Sequence, residues 1–569
     1  MSKPVYILGT GLSHDGSACL LKDGELVVAI EKERITRRKH DGGNDKAAVQ
    51  YCLDAAGIGI NDLSLVVQNA NFEKREIETH MFHGQRLFPE DYGVPVKTIS
   101  HHLAHAWSAA ATTPFPSTAI MVIDGCGSFY EDCDDLEGAI IPSDVGTLPW
   151  GYGEKDSYYT FDGEKIKPIF KDFSHINLIE QDHPVHLPTS RHSIGGYYAM
   201  VSNYCFGNAT DAGKLMGLAP YGNPGIYHEE IFITCDDRVF VNEETLRLFT
   251  QPADPVFRPF KEHFQYYADI ARWVQDELER AVLYTIRSRL KIHHTKTLSY
   301  TGGVALNAVA NARILRETGL EAFYITPPAG DNGLSLGCAW YGWMEMMGNE
   351  KSKQQVSFYT GKKYENQNII ALLEEAGKQG KTEYEIFPKP NIFQAVAKKL
   401  SEGKTIGWFN NGCELGPRAL GNRSILADPR LPGIRDFINA EVKFREDFRP
   451  FAPAVLAEDA EIFFRYHYSS PHMILTDMIR NEWRSRLPGV VHVNGSCRVQ
   501  TVTREQNEDF YTLLQHFKKE TGLGVLVNTS FNRRGMPIVE TPEQALSFFH
   551  ECALDILVFN TEIIVTKCK

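Results

Sequence analysis

His101-His-Leu-Ala-His-Ala106 opens an alanine-rich run that ends near Thr112. The run reads as helix, and residues four apart share a helix face, so His101 and His105 could grip one metal ion while His102 points away from it. Histidine supplies only half a site. Asp124 and Asp331, each in a glycine turn after a strand, are the candidates to complete it. Two His and two Asp suit iron or zinc, with Fe(II) favoured by mixed N/O ligation that leaves positions open. The same spacing also suits histidines that are merely hydrogen-bonded in a core or at a surface.

Glycine turns at Asp124-Gly-Cys-Gly-Ser128, Thr301-Gly-Gly303 and Ala329-Gly-Asp-Asn-Gly333 expose backbone N–H groups that can cradle phosphate oxygens, and none is a Walker A loop. Asp211-Ala-Gly-Lys-Leu-Met-Gly-Leu-Ala-Pro-Tyr-Gly222 adds an acid and a glycine-flanked lysine, suited to a ribose hydroxyl and a phosphate. Singly each is a plain turn; together they argue for a nucleotide cleft. His14-Asp15 lies in another glycine turn, where it could act as an acid/base pair or serve only as hydrogen-bonding residues. A Gly-x-Ser-x-Gly elbow and a catalytic-cysteine signature are both missing, so covalent hydrolase chemistry has no support.

Basic charge gathers in two islands. Glu31-Lys-Glu-Arg-Ile-Thr-Arg-Arg-Lys-His40 reads either as a solvated edge or as a cleft-facing segment in which Lys39 stabilises charge. The second island runs from Glu414 to Ile425 and from Asn439 to Pro453, with Arg418, Arg423, Lys443, Arg445 and Arg449 interleaved with Gly, Pro and Phe. Such interleaving builds a pocket, and fixed guanidinium groups suit bidentate contact with phosphate. Arg498 and the turn Asn528-Thr-Ser-Phe-Asn532 could complete it.

These residues need elements to position them. Val5–Gly11, Ser17–Leu21 and Glu25–Ile30 read as a β-meander, with Asp23-Gly24 as its tight turn. Strand-to-glycine-turn units recur at Ala119–Ser128 and at Leu298–Gly303, the latter leading into a helical pattern from Val304 to Leu315. That rhythm predicts an α/β domain with its ligand at the strand ends. The polar stretch Gly348–Gln355 marks a boundary, placing domains at 1–350 and 351–569. Beyond it, strands at Lys404–Phe409, Val525–Asn528 and Asp555–Phe559 and helices at Ile392–Glu402 and Pro542–Phe549 predict a second α/β unit.

Composition narrows the classes. The 569 residues are 43% hydrophobic and 23% charged, which fits folded domains and excludes disorder and fibres. With 59 basic against 72 acidic residues the net charge is −13, so a general grip on nucleic acid is not expected. Apolar runs fall far short of a membrane span, and the strand-like Val5–Leu8 running straight into Gly9 leads us to expect no secretion. Eleven scattered cysteines without a Cys-x-x-Cys pair fit reduced thiols in a cytoplasm.

Eight segments in order resemble the O-carbamoyltransferases of nodulation and antibiotic biosynthesis, the NodU/CmcH family. They are His14–Ala18, Glu33–His40, His101–Ala106, Gly213–Gly222, Thr301–Asn307, Gly416–Ser424, Phe448–Pro453 and Val527–Asn532. The resemblance implies an N-terminal actin/sugar-kinase-like domain of two subdomains and a C-terminal YrdC-like α/β domain. The second would form carbamoyl-adenylate from carbamoyl phosphate and ATP, with Mg accompanying the ATP. The first would transfer the carbamoyl group to a hydroxyl of a small secondary-metabolite acceptor. Carried over, the metal ligands fall on His101, His105, Asp124 and Asp331. Adenylate binding falls on Asp124, Gly125, Gly127, Ser128, Asp211, Gly302, Gly303 and Asn307, with Gly330 and Asn332 beside the metal. Phosphate binding falls on Arg418, Lys443, Arg449, Arg498, Asn528 and Ser530. His14, Asp15 and Lys39 remain the candidates for catalysis. The first turn reads His14-Asp-Gly-Ser-Ala18 where the family has His-Asp-Ser-Ala-Ala, so what the small residues contact stays open.

Two other classes compete: an actin-fold sugar kinase, or a threonylcarbamoyl-type tRNA-modifying enzyme. A third reading, a nucleotide switch, gives the arginine-rich domain no purpose. An acceptor would be chosen by loops such as Asp132–Tyr159 and the turn at Asn223-Pro224. Neither a nucleic-acid nor a membrane partner is expected.

Overall fold

The computed structural model describes residues 3–42, 46–70, 88, 92–143, 151–178, 188–249, 260–352, 355–389 and 391–568. Parts of the expected loop Asp132–Tyr159 (144–150) and of the boundary stretch (353–354) lie outside the described residues. The chain divides into two compact units, Met1–Thr36 with His40–Val356 and Arg37–Lys39 with Ser357–Lys569. Among the described residues no helix is long and apolar enough to cross a membrane.

The first unit holds two five-stranded sheets. In the first sheet, β1 (Tyr6–Leu12), β2 (Ser17–Lys22) and β3 (Glu25–Glu31) form the expected antiparallel meander. Asp23 and Gly24 both take positive φ (50° and 81°), as the primed turn between twisted strands requires. Strands β4 (Leu65–Ala70) and β5 (Val96–Ile99) continue the sheet in parallel from the other edge of β1. Helix α1 (His101–Thr112) follows, with every residue except Leu103 buried, which is what its alanine-rich composition permits.

In the second sheet β6 (Thr118–Ile123), β7 (Tyr152–Phe161) and β8 (Ile166–His175) form another antiparallel meander. The last part of the expected Asp132–Tyr159 loop is therefore strand, because Tyr158 and Tyr159 bury their rings from β7. Helices α2 (Ile194–Phe206) and α3 (Phe264–Ile292) come next, then β9 (Thr297–Thr301), α4 (Ala308–Glu317), β10 (Ala322–Ile325) and α5 (Leu334–Tyr341). Strand β9 runs parallel to both β6 and β10. Both sheets thus have one topology: a three-stranded meander extended by two parallel strands on the first strand's free edge.

Two glycines let α5 approach its neighbours. A Cβ on Gly337 would lie 1.8 Å from the Ala104 carbonyl of α1, and one on Gly9 of β1 would lie 2.0 Å from the Ser335 carbonyl of α5. Helix α5 therefore lies in backbone contact with both.

The second unit is built on a nine-stranded mixed sheet. Its strands are β11 (Thr382–Ile386), β12 (Ile406–Phe409), β13 (Arg423–Ala427), β14 (Ala452–Leu456), β15 (Leu475–Met478), β16 (Ser496–Val502), β17 (Val525–Ser530), β18 (Ile556–Phe559) and β19 (Ile563–Lys567), in spatial order β11-β19-β18-β12-β13-β17-β14-β16-β15. Helices α6 (Asn391–Ser401) and α7 (Glu508–Thr521) supply Ile392, Val396, Phe510 and Leu513 to a core on one face. Helix α8 (Pro542–Glu551) supplies Ala545, Leu546 and Phe549 to the core on the other.

Candidate active site

In the first unit α1 ends one sheet and starts the site. Its i, i+4 spacing brings the Nε2 atoms of His101 and His105 to 3.2 Å, with Asp124 from the turn after β6 and Asp331 from the turn before α5 facing them. Asp124 Oδ2 lies 2.9 Å from His101 Nε2 and 3.7 Å from His105 Nε2; Asp331 Oδ1 lies 3.4 and 3.6 Å from the same atoms. One donor atom from each residue falls within 4.8 Å of the others, and all four residues are buried. Two imidazoles and two carboxylates converging in a dry site form a mixed N/O donor set, and the group could hold a metal ion. His102 turns away as expected, its Nδ1 at 2.7 Å from Ser157 Oγ.

Charge at this site is held tightly. Burial opposes a charged His101, but Asp331 and Asp124 outweigh it and push the ring's pKa up to about 10. Burial alone would raise both carboxylates, yet the facing histidines hold Asp124 and Asp331 below the usual range. A bound cation would take the place of that proton. Further donors fix the carboxylates: Gly303 N–H reaches Asp124 Oδ1 at 2.9 Å, and Ser13 Oγ–H donates to Asp331.

His14 joins this cluster directly, with Nδ1 2.8 Å from Asp331 Oδ2. Desolvation lowers its pKa, and the charges of Asp331 and Asp15 reverse that, raising it to about 10. Asp15 in turn accepts from His40 Nδ1 at 2.8 Å, and the His14 and His40 rings stack with centroids 6.3 Å apart. Ser13 and His40 are the residues that spacing did not single out; adjacency to His14 was the only signal for Ser13.

The expected adenylate residues take varied places. Gly302 has φ 93° and packs where a Cβ would meet the Ile123 carbonyl at 2.3 Å, so the turn after β9 presses on the end of β6. Gly303 binds Asp124 as described, and Gly125 lies against the backbone of Gly195 and Gly196. Gly127 has no room for a side chain between Glu154 and His102. Ser128 is fully buried, its hydroxyl accepting from His101 N–H at 2.9 Å. Asp211 pairs with Lys214 at 2.6 Å. Asn307 caps α4 and exchanges two hydrogen bonds with Gln275 of α3, at 3.0 and 3.1 Å. Asn332 donates to Glu31 at 2.6 Å, and Gly330 lies beside it.

In the second unit a separate cluster forms from Arg418, Lys443, Arg445, Arg449 and Arg498. Burial pulls Arg418 down to about 10, and Arg449 adds to the effect. Burial and mutual repulsion hold Lys443, Arg445 and Arg498 well below their ordinary values. The carboxylate of Glu446 lies 3.7 Å from Arg449 and 3.2 Å from Arg534. Such a cluster is stabilised by a bound anion. Lys443 donates to the Ser530 carbonyl at 2.6 Å, to Ser530 Oγ at 3.1 Å and to Asn532 Oδ1 at 2.8 Å, while Asn528 Nδ2 donates to Gln500 at 2.7 Å. Arg423, of the same sequence island, does not join. From the start of β13 it is fully buried, donating to the carbonyls of Asn410 and Asn411 and stacking 3.5 Å over Phe409. Lys39 belongs to the second unit, and its charge contributes to the depression of Lys443.

Comparison with known proteins places the chain in one family. The carbamoyltransferase N-terminus model matches residues 6–71 and 59–340, and the carbamoyltransferase C-terminus model matches 397–567. The chain is 32% identical to the nodulation protein NolNO of Sinorhizobium fredii, over 97% of this chain and 79% of that protein. It is 31% identical to an uncharacterized protein of Synechocystis sp., over 99% and 97%. It is also 26% identical to the 3'-hydroxymethylcephem-O-carbamoyltransferase of Streptomyces clavuligerus, over 92% of each. The chain belongs to the carbamoyltransferase family, and is a transferase by that membership.

Proposed function

We propose that this protein is an ATP-dependent O-carbamoyltransferase working in two half-reactions. In the second unit, carbamoyl phosphate, ATP and water give carbamoyl-adenylate, pyrophosphate and phosphate. In the first, a hydroxyl of a small-molecule acceptor takes the carbamoyl group and AMP leaves. The observation that carries the reading is the cluster of Arg418, Lys443, Arg445 and Arg498 around Arg449, in which burial and mutual repulsion depress the basicity of the first four and which suits a small polyanion. Two phosphates brought together repel each other, and fixed cations remove that cost.

The repeated sheet topology of the first unit supports an actin/sugar-kinase-like domain of two subdomains, and the mixed sheet of the second is read as YrdC-like. Adenylate is assigned to the glycine turns at Asp124–Ser128, Gly302–Gly303 and Gly330–Asn332, with Asp211 and Asn307. His101, His105, Asp124 and Asp331 would hold Fe(II) or Zn, which when bound supplies Lewis acidity and fixes an oxygen ligand. Around it Ser13 and Gly303 fix the carboxylates, and His14 holds a proton on Nδ1 against Asp331. Asp15 and His40 continue that path towards the acceptor hydroxyl's proton. Relatives whose names tie them to nodulation and to a cephem support a secondary-metabolite acceptor.

One assay tests this. With carbamoyl phosphate present, ATP and Mg should give AMP and pyrophosphate; without it, turnover should fall by at least about a hundredfold. ADP as the product, or ATP turnover indifferent to carbamoyl phosphate, would overturn the reading in favour of a kinase.

A further inference from the structure

Glu154 of β7 is fully buried, and one of its carboxylate oxygens touches two elements that carry metal-site ligands. Oε2 accepts from His102 N–H in the first turn of α1 at 3.1 Å and from Ser128 N–H, at the end of the Asp124–Ser128 turn, at 3.0 Å. Glu154 thus meets His102 through the backbone, between His101 and His105 in sequence. A first-turn N–H has no partner inside its own helix, and a carboxylate is the strongest acceptor a side chain can offer it. The turn is gripped by the Glu154 backbone as well. Gly127 N–H donates to the Glu154 carbonyl at 2.8 Å, and Glu154 N–H donates to the Ser128 carbonyl at 3.0 Å.

The other oxygen, Oε1, is engaged by the ammonium of Lys171 on β8, whose side chain is also fully buried. Lys171 reaches Asp135 Oδ2 at 2.8 Å. Asp135 in turn accepts from Tyr159 O–H at 2.7 Å and from Oγ–H of Ser100, the residue before α1, at 2.9 Å. Burial favours a neutral Glu154, and Lys171 outweighs it, holding the carboxyl below its usual range. Cys133, Asp135 and Glu154 also bring donor atoms together, but Lys171 sits on both carboxylates and takes the place of a second cation.

We propose that Glu154 is a positioning residue for the metal site: through Oε2 it locks the first turn of α1 to the Asp124–Ser128 turn, and so sets how His101 and His105 stand relative to Asp124. Lys171 keeps that oxygen pair charged and in place from behind. The inference rests on the proposed metal site at His101, His105, Asp124 and Asp331.

The test is a titration of the metal-free, full-length protein with Co(II), whose visible absorption reports coordination geometry as well as occupancy. Glu154→Ala should weaken Co(II) binding at least about tenfold and shift the visible bands of the protein that does bind, with folding followed separately by urea unfolding. Glu154→Asp keeps the charge opposite Lys171 but is one methylene too short to reach both N–H groups. It should change the bands in the same sense, which keeps the proposal testable even where the alanine variant fails to fold. Glu154→Gln combined with Lys171→Met keeps an acceptor oxygen and removes the ion pair as a unit, and should return the parental bands. Parental bands and affinity in folded Glu154→Ala or Glu154→Asp protein, or a double variant no better than Glu154→Ala, would overturn the proposal. His101→Ala separates the two readings. Parental Co(II) binding there sinks the metal site itself, whereas loss at His101 with none at Glu154 sinks only the role of Glu154.

Discussion

His101 and His105 hold their Nε2 atoms 3.2 Å apart with two carboxylates in reach, an arrangement that needs a proton or a cation at its centre. His101→Ala and His105→Ala should each lower metal affinity at least about tenfold, read by elemental analysis of the purified protein, and His102→Ala should leave it unchanged. Equal metal content in all three would refute the assignment. The i, i+4 geometry and the turn of His102 away from that pair were legible in the sequence because a helix converts spacing directly into facing. His40 and Ser13 were not, since Ser13 meets a carboxylate 318 residues away through tertiary structure alone. Arg418 and Arg423 show the same limit. They sit five residues apart in one basic island, yet Arg418 stays in the turn with the cation cluster while Arg423 enters β13 and is consumed by carbonyls. Charge patterning cannot distinguish the two fates.

Elements set the distances between these side chains. Helix α1 carries both histidines and α5 follows Asp331 directly, so the Gly337–Ala104 contact fixes the ligands from the two sides. Gly337→Val should force α1 and α5 apart, destabilising the protein by about 1–3 kcal/mol in urea unfolding and lowering metal content in the folded fraction. Normal stability with full metal content would mean the contact does not set the site. The meander β1–β3 was readable from alternation and Asp23-Gly24, because hairpins are local. The parallel pairings of β4 with β1 and of β9 with β6 were not, since each joins segments dozens of residues apart. The common topology of the two sheets was also hidden: it repeats a path of strands, with no repeat of residues.

Across the whole molecule the −13 net charge coexists with a dense cationic cluster in the second unit and a cation-seeking His/Asp cluster in the first. Length and the polar stretch near residue 350 pointed to a division of labour, and the two compact units carry chemically opposite sites. What the sequence could not reveal is that residues 37–39 are counted with the second unit, because a short excursion leaves no compositional trace. The central claim is that the two sites run separate half-reactions, and carbamoyl phosphate-dependent pyrophosphate release measured beside carbamate-ester formation in Arg449→Ala and His14→Ala proteins tests it most directly. Arg449→Ala should lose pyrophosphate release by at least about a hundredfold. His14→Ala should keep release within about twofold of the parent while forming no ester. Parallel loss of both products in both variants would contradict the division.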